Sequence, residues 1–556
     1  MRRRLDLLLL LPLAILLAWW QWEYRGYVKD DAYISLRYAR NLVEGHGLVF
    51  NHGDRLEGYT NFLWILLSTP AFALGIDPLS WVKGLGCLFG QLALVVTYSA
   101  ARFFGGDRND WASYVAAALW ASSTSVVLWS MGGLEPTFMA VVGGGGTLLA
   151  MKAYVAEDPA EARRHALFSA LLLAGAALCR PDAHAIFLVA AAFVGLQVLR
   201  ERRVAPHWLL WAGVFVAVLA PYHLWRFLYF GGLLPNTALV KAGAGPEVWA
   251  EGVKYVRGLL GFNVNPAVFL LALLAPFAGS RRLVKAWGLL LTVAYLVYLV
   301  KIGRDEMKYY RLFLPVYPIA LALAADGART LFGGLGRLVG GGDRGRLVAV
   351  GTAALLTWAG VVVCVQFTAS KQRWNSNFVT WSQDSFQAMG AYVAERSEPG
   401  DVAVFQDMGG APWTSPDIVW IDTIGILNRF VATELAAIGL NPFMRSQKRS
   451  LPGGREEIQQ FDKRVRDYAF DQDPEWVAYI AYVSKPQRKR RAFAARIKKA
   501  EKAGESVEPI FAPRLKANSH AHGMYQDPRF ARDYVFEKYW KRNAGYWVVL
   551  FRKRAE

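Results

Sequence analysis

Two adjacent acidic residues follow the first hydrophobic segment of the chain. The surrounding motif, Lys29-Asp30-Asp31-Ala32-Tyr33-Ile34-Ser35-Leu36-Arg37-Tyr38-Ala39-Arg40, is called here the first-loop motif. A carboxylate can take a proton from a hydroxyl, a general-base step that typically contributes ~10²–10⁴-fold to a rate. Guanidinium groups such as those of Arg37 and Arg40 bind phosphate oxygens through charge-assisted hydrogen bonds. The motif therefore combines the residue types needed for proton abstraction and for phosphate binding.

The composition of the chain indicates a membrane protein. Of its 556 residues, 54% are hydrophobic and 14% aromatic, while only 19% are charged. This composition is not typical of a soluble protein of this length. The formal net charge of +19 fits cytoplasmic loops and lipid-facing surfaces, so no nucleic-acid partner is predicted. Cys87, Cys179 and Cys364 all lie in apolar segments, and their spacing gives neither a disulfide framework nor a zinc site.

The N-terminal segment predicts an uncleaved membrane helix. Three arginines at positions 2–4 precede an apolar run over residues 7–20, and the bulky residues that follow offer no small-residue cleavage site. Since a spanning helix needs roughly 20 mainly apolar residues, ten further spans are predicted. They cover residues 82–104, 111–130, 138–155, 165–180, 184–200, 207–227, 264–279, 287–301, 312–327 and 347–367. Residues 61–75 are apolar but short and contain Pro70, which predicts an interfacial helix.

Basic loops orient this arrangement of eleven spans. With the N-terminus in the cytoplasm, the loops 102–108, 163–164, 200–203, 281–285 and 329–346 all fall inside, and each is basic, as the positive-inside rule requires. An odd number of spans then places everything after residue 367 outside. The sequence therefore predicts an inner-membrane protein with a transmembrane domain over residues 1–367 and an extracytoplasmic domain over residues 368–556.

The loops predicted on the outer side are unusually polar. They contain residues 30–31, 132–136, 180–182, 233–237 and 303–311. Charged groups near helix ends are costly to place beside lipid, and several on one side of a bundle indicate a site. For any single loop, a helix cap or a solvated loop charge is the better interpretation. The five loops together favour a site on the outer face.

The C-terminal part predicts a small α/β domain. Residues 401–406, 418–422, 476–480 and 546–551 have the pattern of short buried strands, and residues 385–395 that of an amphipathic helix. Residues 485–502 form a basic, helix-like run, which predicts a solvated face or a contact with anionic lipid or an acidic glycan. The glycine run 143–146 lies within a predicted span and indicates close helix packing. No nucleotide-binding motif occurs, so the driving force of a reaction must come with the substrate.

Three sequence segments resemble a known family. The first-loop motif, Gly-His-Gly-Leu-Val-Phe-Asn at 45–51 and Glu-Gly-Tyr-Thr-Asn-Phe-Leu-Trp at 57–64 look like the GT-C membrane glycosyltransferases. Within that class the chain is most similar to the mycobacterial terminal arabinofuranosyltransferases, and Leu-Pro-Asn-Thr-Ala-Leu-Val-Lys at 234–241 and Arg311-x-x-x-Pro315 fit the same pattern. The resemblance covers the membrane half well and the C-terminal part loosely.

The resemblance implies a donor and an acceptor. The donor is a polyprenyl phosphate that carries one sugar, most often D-arabinofuranose, and the acceptor is an extracytoplasmic glycan or another hydroxyl compound. Transfer is expected to invert the sugar anomer and to occur at the outer face of the membrane. The lipid-linked sugar is a substrate, so no cofactor is assigned. Some members use a divalent cation, which the pair Asp30-Asp31 could bind, but hard cations prefer several oxygen ligands and no metal site is assigned.

The resemblance also implies residue roles. Asp30 corresponds to the catalytic base, with Asp31 as the group that orients it, because neighbouring residues of a helix point about 100° apart. The predicted ligands of the donor phosphate are Arg37, Arg40, Lys241, Arg304, Lys308 and Arg311, among which Lys241 and Arg311 are preferred. The predicted ligands of the acceptor or the sugar are Glu57, Tyr59, Asn61, His46 and Asn236.

Two other classes of protein and one other sugar remain open. A lipid or sugar transporter has as many spans, but it is expected to show inverted repeats or paired broken helices. A sensor or scaffold with an outer binding domain gives no reason for five polar loops on one face. Among enzymes, a GT-C transferase that uses lipid-linked mannose or aminoarabinose is the alternative.

Overall fold

The fold was obtained as a computed structural model, which describes residues 8–555 except 108–110, 233, 242–245, 278, 306, 339–341, 443–453, 484–486, 519–521 and 544–545. The N-terminal arginines therefore lie outside the described residues. Helices form the first two thirds of the chain. Their bounds are Leu11–Glu23, Asp31–Val43, Phe62–Ala73, Pro78–Phe104, Trp111–Ser122, Thr124–Met131, Pro136–Met139, Gly145–Val155, Pro159–Cys179, Ala183–Glu201, Pro206–Phe230, Asn236–Lys241, Pro246–Leu260, Asn265–Leu274, Arg282–Ile302, Tyr317–Leu338 and Gly342–Ala394.

Seven helical segments among the described residues are long and apolar enough to cross a membrane. They are Pro78–Phe104, Pro136–Val155, Pro159–Cys179, Ala183–Glu201, Pro206–Phe230, Arg282–Ile302 and Val350–Ser370. Two bent pairs raise the number to nine: Trp111–Ser122 with Thr124–Met131, bent by 51°, and Pro246–Leu260 with Asn265–Phe277, bent by 88°. All seven coincide with predicted spans. The total of eleven stays a prediction.

The two other predicted spans correspond to helices of a different kind. Leu11–Glu23 has only 13 described residues, and Tyr317–Leu338 contains the charged residues Asp326, Arg329 and Arg337. Phe62–Ala73 is the short apolar helix that the sequence predicted at the interface, with Pro70 inside it. Leucines on the outward helix faces, among them Leu199 and Leu228, are more than 70% exposed, as expected of surfaces that contact lipid.

The glycine run lies where helices approach closely, as predicted. Residues Ala140–Gly144 form a π-helical turn between Pro136–Met139 and Gly145–Val155. A methyl group added at Gly143 would lie 3.1 Å from the carbonyl oxygen of Pro315, and one at Gly144 would lie 3.1 Å from the ring of Pro318. The run thus brings the backbone of this span against the segment that follows Arg311.

Five strands form one mixed sheet in the C-terminal part. They are β1 Val402–Phe405, β2 Val419–Asp422, β3 Trp476–Tyr482, β4 Tyr534–Asn543 and β5 Tyr546–Lys553, in the order β2-β1-β3-β5-β4. β1 pairs in parallel with β2 and β3, and β5 pairs antiparallel with β3 and β4. The intervening helices are Gly410–Thr414, Arg429–Ala437, Gly454–Asp471, Gln487–Ala503, Glu508–Leu515 and Pro528–Asp533.

The sheet confirms four predicted strands and adds one. The sequence did not predict β4, which lies at the edge of the sheet and carries Glu537, Lys538, Lys541 and Arg542 among its aromatic residues. Charged residues are the usual way to protect an edge strand, and they hide its apolar alternation.

One long helix joins the two halves of the chain. Gly342–Ala394 contains 53 residues; the last predicted span lies within it, and the predicted helix 385–395 lies within it except for its last residue. The domain boundary predicted at residue 367 therefore falls inside a continuous helix. The five strands and their intervening helices are called here the sheet region. Near the end of the long helix, a side chain at Gly390 would overlap the carbonyl oxygen of Ala411, so the sheet region packs directly on this helix.

Candidate active site

The two acidic residues of the first-loop motif have different surroundings. Asp30 immediately precedes the helix Asp31–Val43, and its two carboxylate oxygens accept hydrogen bonds from the backbone N–H groups of Gly409 and Gly410, each at 2.9 Å. Asp31 is half-buried, and no hydrogen bond or ion pair holds its carboxylate within the described part of the chain. Its charge acts on the nearby Lys241. Asp30 is thus held by two backbone N–H groups, whereas Asp31 has no such contact and its charge acts on Lys241.

Lys241 and Arg311 form the cationic side of this site. The buried Arg311 donates from Nε to Oδ2 of Asp305 over 2.9 Å, and its guanidinium lies 5.5 Å from the ring centre of Trp129. Lys241 ends the helix Asn236–Lys241 and lies close enough to Arg311 for their charges to interact. The structure therefore brings together the two residues that the sequence favoured for a phosphate.

Lys241, Asp305 and Arg311 form one cluster, and their charges are strongly coupled. Burial opposes the charge on Arg311, but Asp305 outweighs burial and raises the pKa of Arg311. Burial likewise opposes the charge on Asp305, and Arg311 lowers the pKa of that carboxyl below its usual range. Burial, followed by the charge of Arg311, lowers the pKa of Lys241. Lys241 is nevertheless accessible to solvent.

Three buried polar groups around the cluster lack partners among the described residues. They are the indole N–H of Trp129 and the hydroxyls of Thr237 and Tyr255. Thr237 precedes Lys241 by one helical turn and so shares its side of the helix. Tyr255 lies close enough to Arg311 to interact with its charge. A buried donor left without a hydrogen bond costs about 1–3 kcal/mol, so these groups suit the binding of an anion or a sugar hydroxyl.

A buried ion network supports the other side of the motif. Arg180 binds Asp182 through two hydrogen bonds of 2.8 and 2.9 Å, and its Nη1 lies 3.4 Å from Oε1 of Glu135. The Asn61 amide donates to Ser35 over 3.0 Å and to Glu135 over 3.2 Å. Ser35 lies one turn after Asp31 on the same helix face. Asn61, predicted to bind sugar, therefore holds the helix that carries Asp31.

Arg37 and Arg40 contact the sheet region. The five N–H donors of Arg37 point to backbone carbonyls, those of Phe50, Pro412, Ser415, Pro416 and Ile418. Burial, followed by the charge of Arg40, lowers the pKa of Arg37 to about 9. The Arg40 guanidinium stacks 3.6 Å from the ring centre of Trp413 and donates to its carbonyl. In this structure both arginines join the two halves of the chain, and their contact with a donor phosphate stays a prediction.

Glu57 and Asn236 are also held by other groups. Both oxygens of Glu57 accept from Nε of Arg226, at 2.7 and 2.6 Å. The Asn236 amide donates to three backbone carbonyls of the sheet region, those of Gly425, Ile426 and Asn428. Asn236 thus fixes the position of its loop through its side-chain amide.

Four predicted residues remain: Tyr59, His46, Arg304 and Lys308. Tyr59 is buried, and its hydroxyl has no partner in the described part of the chain. His46 is exposed and stacks on His52 with 3.9 Å between ring centres. Arg304 and Lys308 are exposed in the loop that leads to Arg311.

Some residues of the site were not predicted. Asp305 belongs to a polar outer loop and Thr237 to the segment 234–241, but neither is assigned a role from the sequence, and Trp129 and Tyr255 give no signal. Arg226 lies within the apolar helix Pro206–Phe230, and a charge inside a predicted span is itself an indication of function or pairing.

The described residues form no metal centre. No three His, Cys, Asp or Glu side chains among them come together in a way that could hold an ion. Both oxygens of Asp30 already accept N–H groups, and the neighbours of Asp31 are cations. The donor set therefore does not suit a divalent cation, and no step of the reaction is assigned to one.

The comparisons with known structures define the class of protein. The chain superposes on ArnT from Cupriavidus metallidurans, determined bound to undecaprenyl phosphate, with a TM-score of 0.58 at 12% identity, over 98% of this chain and 97% of that chain. It therefore has the GT-C fold and is an integral membrane protein. No protein-family model matches the chain.

Sequence relatives are more specific. The chain is 26% identical over 363 residues to the terminal β-(1→2)-arabinofuranosyltransferase of Corynebacterium glutamicum, over 55% of this chain and 49% of that protein. It is 29% identical over 279 residues to the protein of the same name from Mycobacterium tuberculosis, over 44% of this chain and 39% of that protein. The chain thus matches at most about half the length of these relatives. The similarity to terminal arabinofuranosyltransferases is confirmed.

Proposed function

We propose that the protein is a multi-pass membrane glycosyltransferase that moves a sugar, D-arabinofuranose in the first instance, from a polyprenyl phosphate to a hydroxyl of an extracytoplasmic acceptor. The observation that carries the proposal is the carboxylate of Asp31, which has no hydrogen-bond or ion-pair partner among the described residues and whose charge acts on Lys241, as does that of Arg311. The similarity to terminal arabinofuranosyltransferases supports the choice of sugar. The undecaprenyl phosphate bound by ArnT supports the class of donor.

The reaction needs one base and one anion site. Asp31 takes the proton of the acceptor hydroxyl while that oxygen forms a bond to the anomeric carbon of the sugar. The bond between this carbon and the phosphate oxygen breaks, and its electron pair leaves with the polyprenyl phosphate. A single displacement of this kind inverts the anomer. Asp31 is chosen as base over Asp30 because two N–H groups already bind the oxygens of Asp30.

The departing phosphate gains negative charge, which Arg311 and Lys241 stabilise. Preorganised charges of this kind act strongly where water is displaced, and loss of one such donor typically costs about 2.7–4 kcal/mol of transition-state stabilisation. The unpartnered hydroxyls of Thr237 and Tyr255 would bind phosphate or sugar oxygens. Asp305 keeps Arg311 in place through the 2.9 Å hydrogen bond.

The orientation in the membrane follows from the same proposal. The basic loops lie in the cytoplasm. The site around Asp31, Lys241 and Arg311 lies outside together with the sheet region, where a lipid-linked sugar and a cell-envelope glycan meet. The sheet region contacts the first-loop motif through Arg37 and Arg40, so both lie on the same side of the membrane.

A donor panel tests the function. Purified protein in detergent is supplied with decaprenyl phosphate carrying arabinofuranose, mannose or aminoarabinose, together with oligosaccharide acceptors, and products are identified by mass spectrometry and NMR. Transfer from the arabinose donor with inversion, abolished by Asp31→Asn, is expected. Turnover of only the mannose or aminoarabinose donor would show that this other sugar, and not arabinofuranose, is the one transferred. Absence of transfer from every donor, with donor movement across proteoliposomes, would support a transporter instead.

A further inference from the structure

The sheet region has a topological switch point. In the order β2-β1-β3, the chain crosses from β1 to one neighbour and later returns to the other side of β1. In open α/β sheets, ligands bind in the crevice at the carboxyl ends of the strands on either side of such a point. Here that place is the segment that follows β1, residues 406–410.

A carboxylate of the membrane half occupies this place. The N–H groups of Gly409 and Gly410 donate to Oδ2 and Oδ1 of Asp30, both over 2.9 Å. Successive backbone N–H groups that converge in this way form a common anion-binding arrangement. A side chain at position 409 would overlap both the carbonyl oxygen and the carboxyl group of Asp30, so the contact requires glycine.

Further contacts hold the same two parts together. Asn51 exchanges two hydrogen bonds with the backbone of Trp420, one donated over 3.0 Å and one accepted over 3.1 Å. Tyr33 packs against Trp413 with 5.7 Å between ring centres. Together with the carbonyls bound by Arg37, they fix one side of the helix Asp31–Val43 to the sheet region. Asp31 lies about 100° around this helix from Asp30.

We propose that Gly409 and Gly410 are positioning residues for sugar transfer, and that the switch point of the sheet region binds Asp30 in place of a diffusible ligand. By fixing Asp30 they set the direction in which Asp31 points, so that its charge acts on Lys241. The reaction itself rests on the proposed function above. The role of the sheet region is therefore to assemble the base, while donor binding depends on groups in other segments.

Hydrogen exchange tests the contact without any substrate. In full-length protein, exchange at the amides of Gly409 and Gly410 is followed by mass spectrometry of peptides that cover residues 405–414. Asp30→Ala is expected to speed exchange at these two amides roughly tenfold or more, because each loses a bond to a charged acceptor. The neighbouring variant Asp31→Ala is expected to leave it unchanged. Unchanged exchange in Asp30→Ala, or equal acceleration in both variants, would overturn the proposal.

Kinetics test the positioning role. Gly409→Ala adds one methyl group against Asp30 and is expected to lower kcat for sugar transfer by up to ~10²-fold, as displacements near 1 Å do, while KM for the donor changes less than about threefold. Asp30→Ala, which adds no atom, is expected to give the same pattern, a lowered kcat with little change in KM for the donor. Gly84→Ala, with nothing within 4 Å of the added methyl, is the control with wild-type kinetics.

The outcomes separate the two proposals. Wild-type kcat in both Gly409→Ala and Asp30→Ala would refute the positioning role even though the enzyme transfers sugar. A donor KM that rises as much as kcat falls in both variants would also refute it, since these residues would then act on donor binding. A wild-type protein that transfers no sugar refutes the proposed function, and the exchange measurement then decides the Asp30 contact by itself.

Discussion

Replacement of Arg311 by alanine is expected to lower both catalysis and stability. Arg311 is 9% exposed and binds Asp305 through hydrogen bonds of 2.9 and 3.5 Å, so its removal leaves a buried carboxylate with less compensation. Breaking a buried ion pair by removing one partner costs about 3–5 kcal/mol of stability. Loss of the positive charge at the leaving phosphate costs about 2.7–4 kcal/mol in the transition state, or ~10²–10³ in kcat.

A second substitution distinguishes these two effects. In Arg311→Ala/Asp305→Ala both charges are gone, and most of the lost stability should return because no uncompensated carboxylate remains. The catalytic loss of ~10²–10³ should stay, because nothing replaces the cation at the phosphate. Thermal unfolding in detergent gives the stability, and transfer from a labelled polyprenyl-phosphate sugar gives kcat and the donor KM. Asp305→Ala alone is the matched control that keeps Arg311.

The interpretation of Arg311 has a clear contrary result. If the double variant recovers activity in the same proportion as stability, Arg311 acts on folding and another group binds the leaving phosphate.

Three further predictions concern stability. Burial raises the pKa of Asp422 to about 6, while backbone N–H groups oppose the shift, so the folded pKa exceeds the unfolded value near 3.9. This contribution is then fully present below pH 4 and is lost as pH rises through 6. The melting temperature of the wild type should fall over this range, and that of Asp422→Asn should change less. Glu57→Gln and Arg226→Met should each lower stability by about 3–5 kcal/mol in thermal unfolding, and the double change to Leu and Met by less than their sum; additive losses would contradict the pairing. Asn236→Ala removes three hydrogen bonds to the sheet region, and limited proteolysis should detect looser docking, whereas unchanged cleavage would contradict it.

The membrane half was largely predictable because hydrophobic length and loop charge are local properties of the sequence. All seven long apolar helices coincide with predicted spans. The helix Pro246–Leu260 was not predicted, because it is too polar for a span on its own and the 88° bend that follows depends on tertiary packing. The convergence of Lys241 and Arg311 could be anticipated from topology, since both loops were placed on one face.

The different contacts of the two acidic residues could not be predicted. The groups that bind Asp30 lie about 380 residues away in the sequence, and no local pattern indicates that contact. For the same reason the sequence assigned Arg37 to a phosphate, although five backbone carbonyls surround it in the fold. β4 was missed because an edge strand with alternating charges lacks the apolar run of a buried strand.

The most direct test compares Asp31→Asn with Asp30→Asn in sugar transfer from decaprenylphosphoryl arabinofuranose. Asp31→Asn removes the base and should lower kcat by ~10²–10⁴ with the donor still bound. Asp30→Asn keeps one oxygen for an N–H group and should lose no more than about tenfold. Full activity in Asp31→Asn together with an inactive Asp30→Asn would contradict the assignment and return the role of base to Asp30.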